Sequence, residues 1–235
     1  MFIYANDAYI FIAMHISHNE IGYSGATGVL LAGGKSTRMG SDKINLEVSG
    51  QTVFERSLDF LQQLFSRVII ASNRHELALP GIPAIPDIFP GSALGGIFTG
   101  LKSAETDWVF VTPCDMPYPD SRIVELLFHL HEGADAVVPL TPGGYEPVFA
   151  FYHKKCLPVF EDALKRGRKS IFALYPQLNV RFLEWQSMPA GWERSMLNIN
   201  TPEDLERVMK DYELNHRLFR SSPKVARAGR PYSES

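Results

Sequence analysis

The chain has 235 residues, 45% of them hydrophobic and 21% charged, which fits one α/β domain with a full-sized core. A net charge of −3 at pH 7 gives no overall attraction to nucleic acid or to an anionic membrane, so any basic site must be local. Cys114 and Cys156 are too few to staple a fold and stand in no metal-ligand spacing, a usage that predicts a reducing, cytoplasmic setting, and no apolar run of about 18 residues marks a membrane span.

Residues 1–26 begin "MFIYANDAYIFIAMHISH". They have no basic leader and carry Asp7 inside the apolar stretch, so they do not read as a secretory signal. They are expected to form an N-terminal extension, either disordered or upstream of the true start, with Met14 close to where the domain begins. His15 and His18 make an HxxH pair with no further ligand nearby, and a loosely packed extension is the default there.

From residue 27 onward strand and helix signals alternate, as in a mostly parallel sheet flanked by helices. "TGVLLA" (27–32) is a continuous apolar run, expected of a central strand covered on both faces. The stretch 52–65 places Phe54, Leu58, Leu61 and Phe65 at helical spacing, and 67–72 reads as the second strand. A proline-rich loop (79–96) excludes a helix over most of its length, and a helix over 94–105 is entered through Gly95 and Gly96. "DWVFVTPCDMP" (107–117) is a third buried strand with a polar tip, followed by a helix over 120–132.

Strands over 135–140 and 146–153 are joined by the turn "TPGG", and a helix over 157–167 closes on Gly167. A late strand (180–185) and a helix over 201–218, opened by Thr201 and Pro202, complete the domain at 27–215. The rest, 216–235, is basic, aperiodic and expected to be a disordered tail.

Three places carry chemistry. "GVLLAGGKSTRMGSDK" (28–43) leaves a buried strand through Gly33 and Gly34, which expose backbone N–H groups to an anion. Arg38 then offers a bidentate grip on phosphate and Lys43 a compact charge. The stretch is neither a Walker loop nor a GxGxxG turn, and the competing reading is a solvated basic loop. Asp115, at the tip of the third strand, is placed to hold Mg²⁺ against substrate phosphates, or else is an ordinary turn or capping aspartate. Cys114 beside it reads as packing. In "NINTPEDL" (198–205), Asn198 and Asn200 alternate on one side of a short strand, as ligands or as capping residues. Asp87 stands alone in the proline-rich loop.

Taken together, "LAGGKSTRMGSDK", "DIFPGSALGGI", "CDMP" and "NINTPEDL" resemble the molybdenum cofactor guanylyltransferases, the MobA-type branch of the nucleotidyltransferases, over roughly residues 27–210. The resemblance implies a three-layer α/β/α, Rossmann-like nucleotidyltransferase fold using Mg²⁺ and GTP. In that family a terminal phosphate of the molybdenum-bound pterin attacks the α-phosphorus of GTP and pyrophosphate leaves. The family's backbone contacts to the nucleotide fall on Leu31, Ala32 and Gly33, beside Gly34, and its loop lysine on Lys43. The nucleotide-contacting acid falls on Asp87, the metal-binding aspartate on Asp115, and the active-site asparagines on Asn198 and Asn200. An asparagine that some members use after the second strand falls near Ala71, with Asn73 two residues on, and that role is not carried over.

Such a reaction needs no covalent intermediate and rests on charge neutralisation and in-line positioning, with Arg38, Lys43 and Asp115 as the groups that carry it. Partners expected are GTP and the molybdopterin cofactor, then molybdoenzyme apo-proteins or their chaperones, with no nucleic acid and no membrane. A cytidylyltransferase on the same cofactor, a sugar-phosphate nucleotidyltransferase and a non-catalytic nucleotide-binding adaptor remain alternatives.

Overall fold

The computed structural model describes Tyr23 and residues 25–33, 43–48 and 50–221. Strand β1 (Ala26–Leu31) lies within an eight-stranded sheet ordered β10-β7-β9-β6-β1-β4-β5, with β8 paired to β7. The other strands are β4 (Val68–Ala71), β5 (Ala84–Ile85), β6 (Trp108–Pro113), β7 (Ala136–Thr141), β8 (Gly144–Tyr145), β9 (Ala150–His153) and β10 (Val180–Glu184). β1 runs parallel to β4 and β6, β4 to β5, and β7 to β10. β9 alone among the long strands is reversed, antiparallel to both β6 and β7.

Both faces are covered, which is why β1 reads as a continuous apolar run. On one face Leu30 shares a core cluster with Phe54 and Leu61 of α1 (Val53–Leu64) and Ile123 and Leu127 of α3 (Ser121–His129). On the other, Val29 shares one with Ile97 and Leu101 of α2 (Ala93–Ser103) and Phe160 of α4 (Leu157–Lys165). The expected three-layer arrangement around a mostly parallel sheet is therefore present. Thr52 and Glu55 close a reciprocal cap at the start of α1. Gly100 lets α2 press against the sheet, since a methyl group there would sit 2.8 Å from Val29 Cγ1.

A smaller cluster joins Leu46 and Val48 of the hairpin β2–β3 (Glu47–Val48, Gln51–Thr52) to Ile199 and to Val208 of α6 (Pro202–Ser221). A one-and-a-bit-turn helix, α5 (Trp192–Ser195), precedes it. No helix among the described residues is long and apolar enough to cross a membrane.

Several boundaries differ from expectation. Tyr23, placed in the extension, belongs to the core: its ring packs on Phe65, Phe128 and Phe151, and its backbone N–H donates to the Leu64 carbonyl at 3.0 Å. The strand over 107–117 ends at Pro113, and 114–115 form a turn. The strand over 146–153 begins only at Ala150, because residues 146–149 leave the ladder. α6 runs to Ser221, past the expected start of the tail at 216. His15, His18 and residues 222–235 lie outside the described residues.

Candidate active site

The register fixes where the strand tips emerge. Leu31 is level with Ala71 on one side and Pro113 on the other, and Ala71 is level with Ile85. Two residues beyond these positions come Gly33, Asn73, Asp115 and Asp87. All four therefore leave the carboxyl edge of the sheet, in the lateral order Asp115, Gly33, Asn73, Asp87. The chain also travels from β1 to β4 and β5 on one side before returning to β6 on the other. The crevice between Gly33 and Asp115 is thus the switch point at which open α/β sheets take their ligands.

The bend after β1 is tied down by its neighbours. Ala32 N–H donates to the Ala71 carbonyl at 3.0 Å, and the Ser72 hydroxyl donates to the Ala32 carbonyl at 3.0 Å. Asp87 is brought against it, with its backbone N–H donating to Asn73 Oδ1 at 3.0 Å. A methyl group at Gly33 would lie 2.9 Å from Asp87 Oδ2, so any larger residue there would have to push this carboxyl aside. Asp87 Oδ1 is buried with no hydrogen-bond partner among the described residues, and burial raises the carboxyl's pKa above its ordinary value. An acid that looked isolated in sequence is thus built into the edge of the bend. Asn73, to which no role was carried over, is what orients its backbone.

Asp115 is half-buried in its turn, and its carbonyl accepts the Ile199 N–H at 2.9 Å. That bond draws residues 198–200 to the same edge. They are extended chain rather than the expected strand, because the partner is a single turn carbonyl. Asn198 is half-buried with Oδ1 enclosed and unpartnered among the described residues. Asn200 is exposed, and its backbone N–H donates to Asp204 Oδ2 at 3.1 Å in the cap of α6. The two asparagines therefore differ in environment, one turned inward and one outward.

Gly34 and Arg38 lie outside the described residues, as does the side chain of Lys43. The backbone of Lys43 opens a one-turn helix, Lys43–Asn45, whose Ile44 is buried in the same core cluster as Ala32. Cys114 packs against that cluster, and Cys156 is buried, its thiol donating to the Asp135 carbonyl at 3.1 Å while burial pushes it up to about 12. Among the described residues no three His, Cys, Asp or Glu side chains gather as a metal cage.

A family model described as the MobA-like NTP transferase domain matches residues 28–180, more than half of the chain. The chain belongs to the MobA-like NTP transferase family. It is 34% identical over 191 residues to a probable molybdenum cofactor guanylyltransferase of Carboxydothermus hydrogenoformans, covering 80% of this chain and 97% of that one. It is likewise 34% identical over 183 residues to a molybdenum cofactor guanylyltransferase of Vibrio parahaemolyticus, covering 75% and 91%. Its fold superposes with a TM-score of 0.70 on the molybdopterin-guanine dinucleotide biosynthesis protein A of Archaeoglobus fulgidus, at 23% identity, over 80% of this chain and 99% of the other. The matched region takes in most of β1, the glycine pair Gly33 and Gly34, and Asp115, while Asn198 and Asn200 lie beyond its end.

Proposed function

We propose that the chain transfers GMP from GTP to the molybdenum–pterin cofactor, releasing pyrophosphate and forming the guanine dinucleotide form of the cofactor. The observation that supports this most strongly is the register of β1 with β6, in which Leu31, two residues before Gly33, is level with Pro113, two residues before Asp115. Guanylyltransferase relatives matched over nearly their whole length support the choice of nucleotide and acceptor.

Within this mechanism the backbone of Leu31, Ala32, Gly33 and Gly34 lines the nucleotide, with the N–H groups of Gly33 and Gly34 as its donors, and Lys43 and Arg38 hold the triphosphate's charge. Asp87, whose Oδ2 lies against the bend, accepts a donor from the nucleotide. The acceptor's phosphate oxygen forms a bond to the α-phosphorus as the bond to the bridging oxygen breaks, and the electron pair leaves on pyrophosphate. The nucleophile is already ionised, so no residue must act as base. The chain's task is to hold attacking and leaving oxygens in line.

The hard oxygen donors at this edge, the Asp115 carboxyl and the enclosed Oδ1 of Asn198, fit Mg²⁺, with phosphate oxygens as the remaining ligands. When bound, the ion supplies charge neutralisation at the phosphates. Asn198 would complete the shell on the side away from Asp87, with Asn200 at its solvent rim.

The test is pyrophosphate release with Mo-molybdopterin as acceptor and each of the four nucleotides, with and without Mg²⁺. GTP alone should turn over, and only with the ion. Preference for CTP or UTP would move the chain to a sister activity, and GTP binding without turnover would make it an adaptor.

A further inference from the structure

Glu146 is a carboxylate that neither the motifs nor the mechanism above use. Registers align β7 with β6 through β9, since Ala136 and Val137 face Tyr152 and Phe151, which in turn face Val109 and Phe110. Pro139 is therefore level with Thr112. Glu146 N–H donates to the Pro139 carbonyl at 3.0 Å, so Glu146 lies in the strip between β6 and β7 at the level where β6 reaches its tip.

β8 and β9 would be one continuous partner of β7 but for the turn at 146–149. There the Phe149 N–H donates to the Glu146 carbonyl at 3.2 Å and the Tyr152 hydroxyl to the Pro147 carbonyl at 2.8 Å. Interruptions of this kind re-aim a side chain at the edge of a sheet. Tyr145 packs on Tyr175 and Phe182, on the α2–α4 side. Glu146 stands at the break in the ladder, between Tyr145 on that side and Phe149, which is buried in the cluster of Met116 on the other. There the carboxyl is half-buried, has no hydrogen bond or ion pair within the described residues, and is shifted upward by burial.

We infer that Glu146 binds and orients the acceptor, its carboxylate receiving N–H donors of the pterin ring on the flank of Asp115 away from the glycine bend. This rests on the guanylyl-transfer reading above. A pterin carries a 2-amino group beside a ring N–H, two parallel donors that match the two oxygens of one carboxylate. The nucleotide is held on the other flank by the bend and Asp87, so the two substrates meet over Asp115.

The experiment is steady-state kinetics of the full chain and of Glu146→Gln and Glu146→Ala, varying Mo-molybdopterin and GTP separately, with Tm measured for each. Loss of a doubly hydrogen-bonded charged acceptor should raise KM for Mo-molybdopterin about tenfold to a hundredfold in Glu146→Ala. Glu146→Gln, which keeps one accepting oxygen, should fall between, and KM for GTP should stay within about twofold in both. An unchanged KM for Mo-molybdopterin in either folded variant, or an equal rise for both substrates, overturns the assignment. Should Glu146→Ala fail to fold, Glu146→Gln decides. A wild-type chain with no turnover on this pair would instead defeat the guanylyl-transfer reading and take this assignment with it.

Discussion

At Asp87 burial and function pull in opposite directions. Burial raises this carboxyl, so the folded chain keeps its proton to a higher pH than the unfolded chain, where it titrates near 3.8. Stability is therefore lost as pH climbs through the window between those two values, and the cost persists at neutral pH. Asp87→Asn removes it: Tm at pH 7 should rise by about 1–3 °C, and the gain should vanish near pH 3, where both states are protonated. If Asp87 contacts the nucleotide as proposed, the same variant should show a higher KM for GTP, a stability gain taken at the expense of activity. Thermal scans across pH with parallel kinetics check both halves. At Asp115 the expectation is different. Removing a charge-stabilising group of this kind costs about 10² to 10³ in rate, so Asp115→Ala should lower kcat by that much or more while Tm stays close to wild type. Near-normal turnover would take Asp115 out of the mechanism.

Among the elements, α2 shows how tightly the proline-rich loop is fitted. A methyl group on Gly95 would lie 1.8 Å from the Phe89 carbonyl oxygen, which is backbone and cannot swing away. Ser92 meanwhile caps α2 by accepting the Gly95 N–H at 3.2 Å. Gly95→Ala should therefore cost more than the roughly 1–3 kcal/mol of ordinary overpacking, seen as a Tm fall of at least 5 °C or as loss of soluble chain. A variant of wild-type stability would mean that the loop carrying Asp87 is not held against α2 as described. Elements of this kind were legible unequally. β1, α1, β4 and β10 fall within a residue or two of their sequence boundaries, because uninterrupted apolar runs and a 3.6-residue period have few competing explanations. The reversed direction of β9 was not legible, since a buried apolar run looks the same read either way. Nor was the break at 146–149, where "EPVFAFYH" stays apolar across a turn. The hairpin around Gly50, which sits at φ 78°, is too short to show any period.

For the molecule as a whole, the site is a consequence of strand order. Sequence motifs singled out Gly33, Asp115 and Asn198 separately, and each alone had an ordinary alternative as loop, cap or turn. What joins them is non-local: the parallel pairing of β1 with β6, the Ile199–Asp115 bond, and the contact of Asp87 with Gly33 across more than fifty positions of chain. No pattern within one segment encodes such contacts, so Asn73 was given no role, Glu146 passed unnoticed and Asp87 gained a role only through family resemblance.

The measurement that bears most directly on this arrangement follows the α-phosphorus of GTP. With α-labelled GTP, Mg²⁺ and Mo-molybdopterin, all of the label consumed should appear in the pterin product, with one pyrophosphate released per label transferred. Label recovered as free GMP, or transferred from CTP in preference to GTP, would contradict it.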